Sequence, residues 1–101
     1  MTTRTPQTGW CIYMLECADG SLYTGITCDL ARRLSAHTAG TAAKYTTPRR
    51  PVTLRYTEAA PSKGAALRRE AAIKGLRRVD KLALIAAVRG EAGLTPLSTN
   101  D

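Results

Sequence analysis

Two short apolar segments joined by a turn constrain the fold of this chain more than any other feature. Residues 10–17 (WCIYMLEC) and 21–26 (SLYTGI) are rich in β-branched and aromatic side chains, and Ala18-Asp19-Gly20 between them indicates a hairpin turn. A two-residue turn would place Tyr13 and Tyr23 on opposite faces of the hairpin. A three-residue loop that ends in a left-handed glycine places both phenols on one face, and we predict this register because the glycine suits it.

The remaining elements follow the hairpin in the order helix, strand, helix, helix. Asp29 is a suitable N-cap for the first helix, and Gly40 is a suitable stop. The segment VTLRYTE alternates as a strand, with Leu54 and Tyr56 on one side. The predicted helices span residues 30–39, 62–74 and 79–89, and the third strand spans 52–58. The order β-β-α-β-α-α indicates an α+β fold in which a small three-stranded antiparallel sheet is flanked by helices.

The folded part is predicted to be one domain of residues 9–91, with flexible termini at 1–8 and 92–101 that are polar and lack periodicity. The N-terminal residues lack the apolar segment of a signal peptide, and no apolar run approaches the ~18 residues of a membrane span. The three cysteines show no C-x-x-C spacing, which argues against a disulfide framework and a zinc site. We therefore expect a soluble, cytoplasmic protein with no membrane contact and no organic cofactor.

Basic residues are concentrated in the middle of the chain. The formal net charge of +7 divides into −2 for residues 1–31, +11 for residues 32–89 and −2 for residues 90–101. One explanation is a solvated basic surface. The other is contact with the phosphates of a nucleic acid, since clustered Lys and Arg drive polyanion binding through the release of counterions. The charge alone does not choose between the two.

Arg33 and His37 share one line along the edge of the apolar stripe of the first predicted helix, because residues four apart lie on the same side. Arg33 is either a solvent-facing charge or a planar fork that binds a phosphate. His37 is either an ordinary histidine at a helix end or a group that donates and accepts protons.

Glu70 projects from within the apolar stripe of the second predicted helix, between Leu67 and Ala71 on one side and Ala66 and Ile73 on the other. An unpaired carboxylate costs several kcal/mol to bury, so we expect a partner for it. The partner is either a basic side chain or a divalent metal ion, since Mg²⁺ is often held by one carboxylate completed by water and substrate phosphate. Neighbouring Arg68 and Arg69 are predicted to face outward.

These tyrosines, the arginine, the histidine and the acid form four motifs that resemble those of the GIY-YIG nuclease superfamily, in particular its small stand-alone bacterial YhbQ-like members. The resemblance runs from Trp10 to about Val88. Its four motifs are Cys11-Ile12-Tyr13, Tyr23-Thr24-Gly25, Asp29-Leu30-Ala31-Arg32-Arg33-Leu34 with His37, and Leu67-Arg68-Arg69-Glu70. The segments Ala43-Lys44-Tyr45-Thr46 and 74–84 are similar to those of the YhbQ-like branch. Cys11 stands where the first motif has Gly, Thr24 stands where the second has Ile, and the late Asn of many members has no counterpart in the predicted folded part.

The resemblance implies metal-dependent endonuclease hydrolysis of nucleic-acid phosphodiester bonds, with DNA cleaved according to its structure rather than its sequence. Mg²⁺ or Mn²⁺ is the implied cofactor, and nucleic acid is the implied partner. The implied roles are catalytic for Tyr13, Tyr23, Arg33 and His37, metal-binding for Glu70, nucleic-acid-binding for Lys44, Tyr45, Arg49 and Arg50, and structural for Gly25. A base role for a tyrosine requires nearby positive charge to lower its pKa, and Arg33 is expected to supply that charge.

Two other functions compete with the nuclease. The first is a nucleic-acid-binding module that keeps the GIY-YIG scaffold but does not cut. The second is a small basic protein that binds RNA or the ribosome, which explains the charge but not the position of Glu70. Metal binding at Glu70 would distinguish the nuclease from both.

Overall fold

The computed structural model describes the backbone of residues 9–93 and the side chains of residues 9–87, so the termini predicted to be flexible lie outside it except for residues 92 and 93. The elements are β1 Trp10–Glu16, β2 Leu22–Thr27, α1 Leu30–Ala39, a short 3₁₀ helix Thr47–Arg49, β3 Thr53–Ala60, α2 Lys63–Lys74 and α3 Arg78–Gly93. The strands form one antiparallel sheet in the order β2-β1-β3. This confirms the predicted α+β fold and its order of elements. None of the helices in the described part is long and apolar enough to span a membrane.

The hairpin has the predicted register, in which both phenols share a face. Tyr13 lies opposite Gly25, and Tyr23 lies opposite Leu15. The Cys17 N–H donates to the Ser21 carbonyl at 2.8 Å and closes the three-residue loop. The last residue of that loop, Gly20, has a φ of 86°, a left-handed conformation that favours glycine.

The third strand corrects one expectation. Tyr56 pairs with Met14, whereas Leu54 pairs with the next residue of β1, Leu15, so the register shifts by one residue between them. An extra residue of this kind is a β-bulge, and it turns the side chains on its two sides to opposite faces. Tyr56 is therefore buried while Leu54 is exposed, and the prediction that they share a side was wrong.

The helix boundaries follow the predicted caps. The Asp29 carboxylate accepts from the Arg32 N–H at 3.1 Å, and Gly40 ends α1 with a φ of 84°. Ser62 caps α2 in the same way, and the chain leaves the helix at Gly75. The third helix continues to Gly93, beyond the end predicted at residue 89.

The hydrophobic core fills one face of the sheet and leaves the other face to α1. Alternate residues of β1, such as Ile12 and Met14, pack with residues of α2 and α3. Tyr13, between those two residues, points to the opposite face and contacts α1 through His37. The core cluster is Ile12, Met14, Tyr56, Ala66, Ile73 and Ile85. The candidate site thus forms on the α1 side of the sheet.

Candidate functional site

The two hairpin tyrosines lie side by side, with ring centroids 6.4 Å apart. Gly25 lies opposite Tyr13 in the register and leaves room for its ring. A Cβ at this position would lie 2.5 Å from the Tyr13 hydroxyl oxygen and 2.7 Å from Cζ. Gly25 is therefore required sterically for the observed position of the Tyr13 phenol.

His37 is the residue of α1 that contacts the sheet at this site. Its side chain is 1% exposed, as is that of Tyr13, and its Nε2 lies 2.9 Å from the Tyr13 hydroxyl oxygen. The other ring nitrogen, Nδ1, lies 2.9 Å from Oγ1 of Thr46. His37 is therefore not at a solvated helix end, because it is buried and both ring nitrogens are hydrogen-bonded inside the protein.

Thr46 is the residue of this site to which sequence reasoning assigned no role. It lies in the loop after α1, is fully buried, and also donates from its hydroxyl to the Ala43 carbonyl at 3.3 Å. The resemblance marked the segment 43–46 as typical of one branch of the superfamily, and that was the only signal for it. No periodicity could pair a loop threonine with a helix histidine nine residues earlier.

The pKa values of the two hydrogen-bonded side chains, Tyr13 and His37, are shifted in opposite directions. Burial is the main cause that raises the pKa of the Tyr13 phenol well above its ordinary value, and the neighbouring Tyr23 raises it further. Burial, followed by the charge of Arg33, lowers the pKa of His37 below 6.5, its ordinary value. At neutral pH, Tyr13 is therefore a protonated phenol and His37 is a neutral imidazole.

Arg33 lies close enough to act on both rings. Its charge lowers the pKa of Tyr13, as expected from the sequence, but burial outweighs it and the net pKa of Tyr13 is raised. For Tyr13, the expectation that Arg33 prepares a base by lowering its pKa is therefore wrong in its net effect, while the choice of Tyr23 as the base stays a prediction. Arg33 is half-buried, and it forms no ion pair with an acidic side chain in the described part of the chain.

Tyr23 is covered on its solvent side by Tyr45 and Arg49, two residues that follow α1 and are stacked on one another. Its ring lies 5.3 Å from that of His37 and stacks on that of Tyr45, with centroids 5.9 Å apart and an angle of 22°. The Arg49 guanidinium lies 3.9 Å above the Tyr45 ring. It also donates a hydrogen bond to the backbone carbonyl of Tyr45 at 2.7 Å. Arg49 also pairs with Asp19 of the hairpin loop at 3.1 Å.

The residues predicted to contact nucleic acid thus differ in what they do in the protein itself. Arg50 donates to the Thr47 carbonyl at 2.9 Å and to the Thr38 carbonyl at 3.3 Å, and its guanidinium lies against Gly40. Arg49 and Arg50 therefore both hold the loop in place. Tyr45 is 40% exposed at the rim of the stack. Lys44 is exposed and forms no ion pair among the described residues.

Glu70 lies at the edge of the buried face of α2. Ala66 and Ile73 are buried as predicted, but Leu67 and Ala71 are exposed, so the apolar stripe is narrower than the sequence indicated. The Glu70 carboxylate is 19% exposed and pairs with Lys74 of the next turn at 3.4 Å. Its negative charge is one of the smaller causes that raise the pKa of Tyr13.

The neighbouring Arg69 differs from expectation. It was predicted to face outward with Arg68, which is exposed. Instead, it is half-buried and pairs with Glu58 of β3 at 2.8 Å, and the Tyr56 hydroxyl donates to the same carboxylate. This cluster joins α2 to the edge of the sheet and takes no part in the tyrosine and histidine site.

Comparison with protein families gives one matching model. Residues 9–82 match the GIY-YIG catalytic domain, which is most of the part of the chain that the structure describes. The match includes every residue of the site described above.

Curated relatives and solved structures agree with that match. The chain is similar to a UPF0213 protein of Halobacterium salinarum, with 55% identity over 73 residues that cover 72% of this chain and 95% of the relative. It is 57% identical over 74 residues to a UPF0213 protein of Streptococcus sanguinis, covering 73% of this chain and 85% of the relative. The solution NMR structure of a UPF0213 protein of Bacillus halodurans is 46% identical, with a TM-score of 0.52 over 78% of this chain and 84% of that one. The solution NMR structure of an E. faecalis protein is 40% identical, with a TM-score of 0.57, and the match covers 80% of this chain and 86% of that one.

Proposed function

The chain belongs to the GIY-YIG family, whose domain is a nuclease-type catalytic domain, and on that premise we propose that it is a divalent-metal-dependent endonuclease. Its substrate is nucleic acid, and we propose DNA that is recognised by its structure rather than its sequence. One observation carries the proposal. A protonated phenol and a neutral imidazole are hydrogen-bonded to each other beside an arginine that no acidic side chain neutralises within the described residues.

Tyr13 and His37 are suited to accept the proton of an attacking water. A neutral imidazole can take a proton near neutral pH, and the Tyr13 hydroxyl already lies 2.9 Å from its Nε2. In the proposed step, the water proton passes to the Tyr13 oxygen while the Tyr13 proton passes to Nε2. The hydroxide oxygen attacks the phosphorus, and the bond from phosphorus to the 3′ oxygen breaks. His37 then returns the extra proton to solvent, from which the leaving 3′ oxygen takes up one proton.

Arg33 and Tyr23 are assigned to the phosphate. A planar guanidinium binds phosphate oxygens in pairs and stabilises the charge that develops on them in the transition state. Tyr23 is half-buried while Tyr13 is almost fully buried, so the Tyr23 hydroxyl is the one better placed to contact substrate. The stack with Tyr45 keeps the Tyr23 ring in position.

Glu70 is the residue proposed to hold the metal ion. In residues 9–87, no three His, Cys, Asp or Glu side chains come together as a metal site, so an ion bound at Glu70 has at most two such side chains as ligands. That donor set fits Mg²⁺, which keeps several waters and takes phosphate oxygens from its substrate. Glu70 already faces a cation, the Lys74 ammonium at 3.4 Å. When bound, the ion supplies charge neutralisation at the phosphate and the leaving oxygen.

Contacts with the rest of the nucleic acid are assigned to the loop residues Lys44, Tyr45, Arg49 and Arg50 and to Arg32 on α1. Of the basic ones, Lys44, Arg50 and Arg32 are exposed and form no ion pair in the described part. Such contacts bind phosphates, which give affinity without reading the base sequence. This supports selection by DNA structure.

A non-cleaving nucleic-acid-binding module is the second candidate. The ion pair with Lys74 favours it, because that pair gives Glu70 a partner without any metal. Such a module would bind DNA with the same salt dependence but would leave its phosphodiester bonds intact.

The test is cleavage of end-labelled single-stranded, nicked, flapped and branched DNA, with matched RNA, in Mg²⁺, Mn²⁺ or EDTA. We expect cleavage that requires the metal and falls by about 100-fold or more in Arg33→Ala and Glu70→Gln. Arg78→Ala and Asp80→Asn, at the start of α3, are purified identically and should retain activity. Binding without cleavage by the wild type would favour the second candidate. Cleavage that Glu70→Gln retains in full would refute the assigned metal site.

A further inference from the structure

The hydroxyl of Thr46 lies between Nδ1 of His37 and the Ala43 carbonyl, and these two hydrogen bonds bear on which nitrogen of His37 carries the proton. Thr46 is fully buried, and its Oγ1 lies 2.9 Å from Nδ1 of His37 and 3.3 Å from the Ala43 carbonyl oxygen. A hydroxyl has one proton to donate, whereas its oxygen can accept. The Ala43 carbonyl has no proton, so Thr46 must be the donor in that hydrogen bond. Its oxygen then accepts the hydrogen bond from Nδ1, which means that His37 carries its proton on Nδ1.

The alternative tautomer leaves the proton of the Tyr13 hydroxyl without an acceptor among the described protein groups. With the proton on Nε2, His37 would donate to the Tyr13 oxygen, and Thr46 would donate to Nδ1. The proton of the Tyr13 hydroxyl would then need another acceptor, and Nε2 is the only hydrogen-bond partner of that hydroxyl among the described residues. Buried donors without acceptors are rare because their desolvation is not compensated. With the proton on Nδ1, all three protons have acceptors.

We propose that Thr46 is a positioning residue that holds His37 in the Nδ1–H tautomer and so keeps Nε2 as the proton acceptor of Tyr13. The inference rests on the proposed function only in what it implies for cleavage. A partner on the far ring nitrogen commonly fixes the tautomer and the orientation of a reactive histidine.

The loop around Thr46 is built to hold that hydroxyl still. The Thr47 hydroxyl oxygen lies 2.9 Å from the Gly40 carbonyl oxygen and 2.8 Å from that of Ala43, so its one proton is donated to either of them and the loop lies close to the end of α1. Arg49, beyond it, bonds both the Tyr45 carbonyl and the hairpin loop. The residues on either side of Thr46 in the chain, Tyr45 and Thr47, are therefore both held by hydrogen bonds.

The test is nitrogen-15 NMR of the imidazole, which is unambiguous because His37 is the only histidine in the chain. We expect long-range proton–nitrogen correlations of the Nδ1–H tautomer in the wild type and in Thr46→Ser, which keeps the hydroxyl. Thr46→Val keeps the side-chain shape but not the acceptor. Each tautomer then leaves one buried proton without an acceptor, so we expect a mixture of the two. The kcat of Thr46→Val should fall roughly 10–100-fold with an unchanged KM, and Thr46→Ser should restore most of it.

A second variant covers the case in which Thr46→Val does not fold. Tyr13→Phe removes the partner of Nε2 but leaves Thr46 in place, so His37 should still carry its proton on Nδ1. A wild type with Nε2–H, a Thr46→Val protein with Nδ1–H alone, or a mixture of tautomers in Tyr13→Phe would each overturn the inference. Because the spectra need no substrate, they decide it even if the wild type cleaves nothing.

Discussion

Gly25→Ala tests whether the close packing between the two strands sets the position of the Tyr13 hydroxyl. The new Cβ would lie 2.5 Å from the hydroxyl oxygen, so one of the two must move by about 0.9 Å to regain the ordinary contact of 3.4 Å. The backbone at Gly25 is fixed by its pairing with β1, so the phenol is the part that must yield. A shift of this size is enough to break its 2.9 Å hydrogen bond to His37.

The magnitude follows from two costs. Overpacking a filled interior costs about 1–3 kcal/mol, and loss of a hydrogen bond costs about 0.5–1.5 kcal/mol. We therefore expect Gly25→Ala to lower the free energy of unfolding by about 2–4 kcal/mol, which corresponds to a fall in Tm of roughly 10 °C or more for a domain of this size. Cleavage should fall further than the folded fraction does, because the phenol no longer reaches Nε2.

Gly64→Ala is the matched control. Its Cβ would approach no atom closer than 3.6 Å, and the residue lies in the first turn of α2. Alanine is favoured over glycine in a helix by about 1 kcal/mol, so this variant should be as stable as the wild type or more so, with the same activity. Urea unfolding and the His37 imidazole spectrum of both variants provide the measurement. A Gly25→Ala protein with wild-type stability and an unchanged imidazole spectrum would refute the steric argument.

Two further predictions concern buried polar groups. Oγ1 of Thr24 is buried without a hydrogen-bond partner within the described residues, so Thr24→Val, which keeps the shape, should raise the free energy of unfolding by about 1 kcal/mol in urea titrations. A loss of stability would show that the hydroxyl has a partner after all. Because burial lowers the folded-state pKa of His37, the unfolded chain binds the proton first as the pH falls below about 6.5. Wild-type stability should therefore fall relative to that of His37→Gln between this pH and the folded pKa, by at most about 1.4 kcal/mol per pH unit, and parallel curves would contradict this.

The elements of the fold were predictable because each carries a local signal. The Ala-Asp-Gly loop fixed the hairpin register, and Asp29 and Gly40 marked the ends of α1. The bulge in β3 was missed because nothing in an alternating sequence marks an extra residue. Leu54 and Tyr56 have the spacing of a regular strand, and only the pairing with β1 shows that they face apart.

The site was predictable to the extent that its residues lie on regular elements. Periodicity placed Arg33 and His37 on one edge of α1, but it could not show that the histidine is buried against Tyr13. The role of the basic loop was only partly predictable. Nucleic-acid contacts of Arg49 and Arg50 stay a prediction, whereas their bonds to carbonyl groups of the loop are seen only in the structure. In the sequence, an arginine that donates to backbone carbonyls looks the same as one that is free to bind a phosphate.

The arrangement of the site has a consequence for every variant made in it. Tyr13, His37 and Thr46 are each at most 1% exposed, so the proposed proton path is part of the interior of a small domain. Removing any member leaves a buried polar partner unsatisfied and therefore lowers stability as well as activity. Loss of cleavage in such a variant supports a chemical role only when it exceeds the loss of folded protein. Arg33 is half-buried and without an ion pair in the described part, so its replacement separates the two effects best.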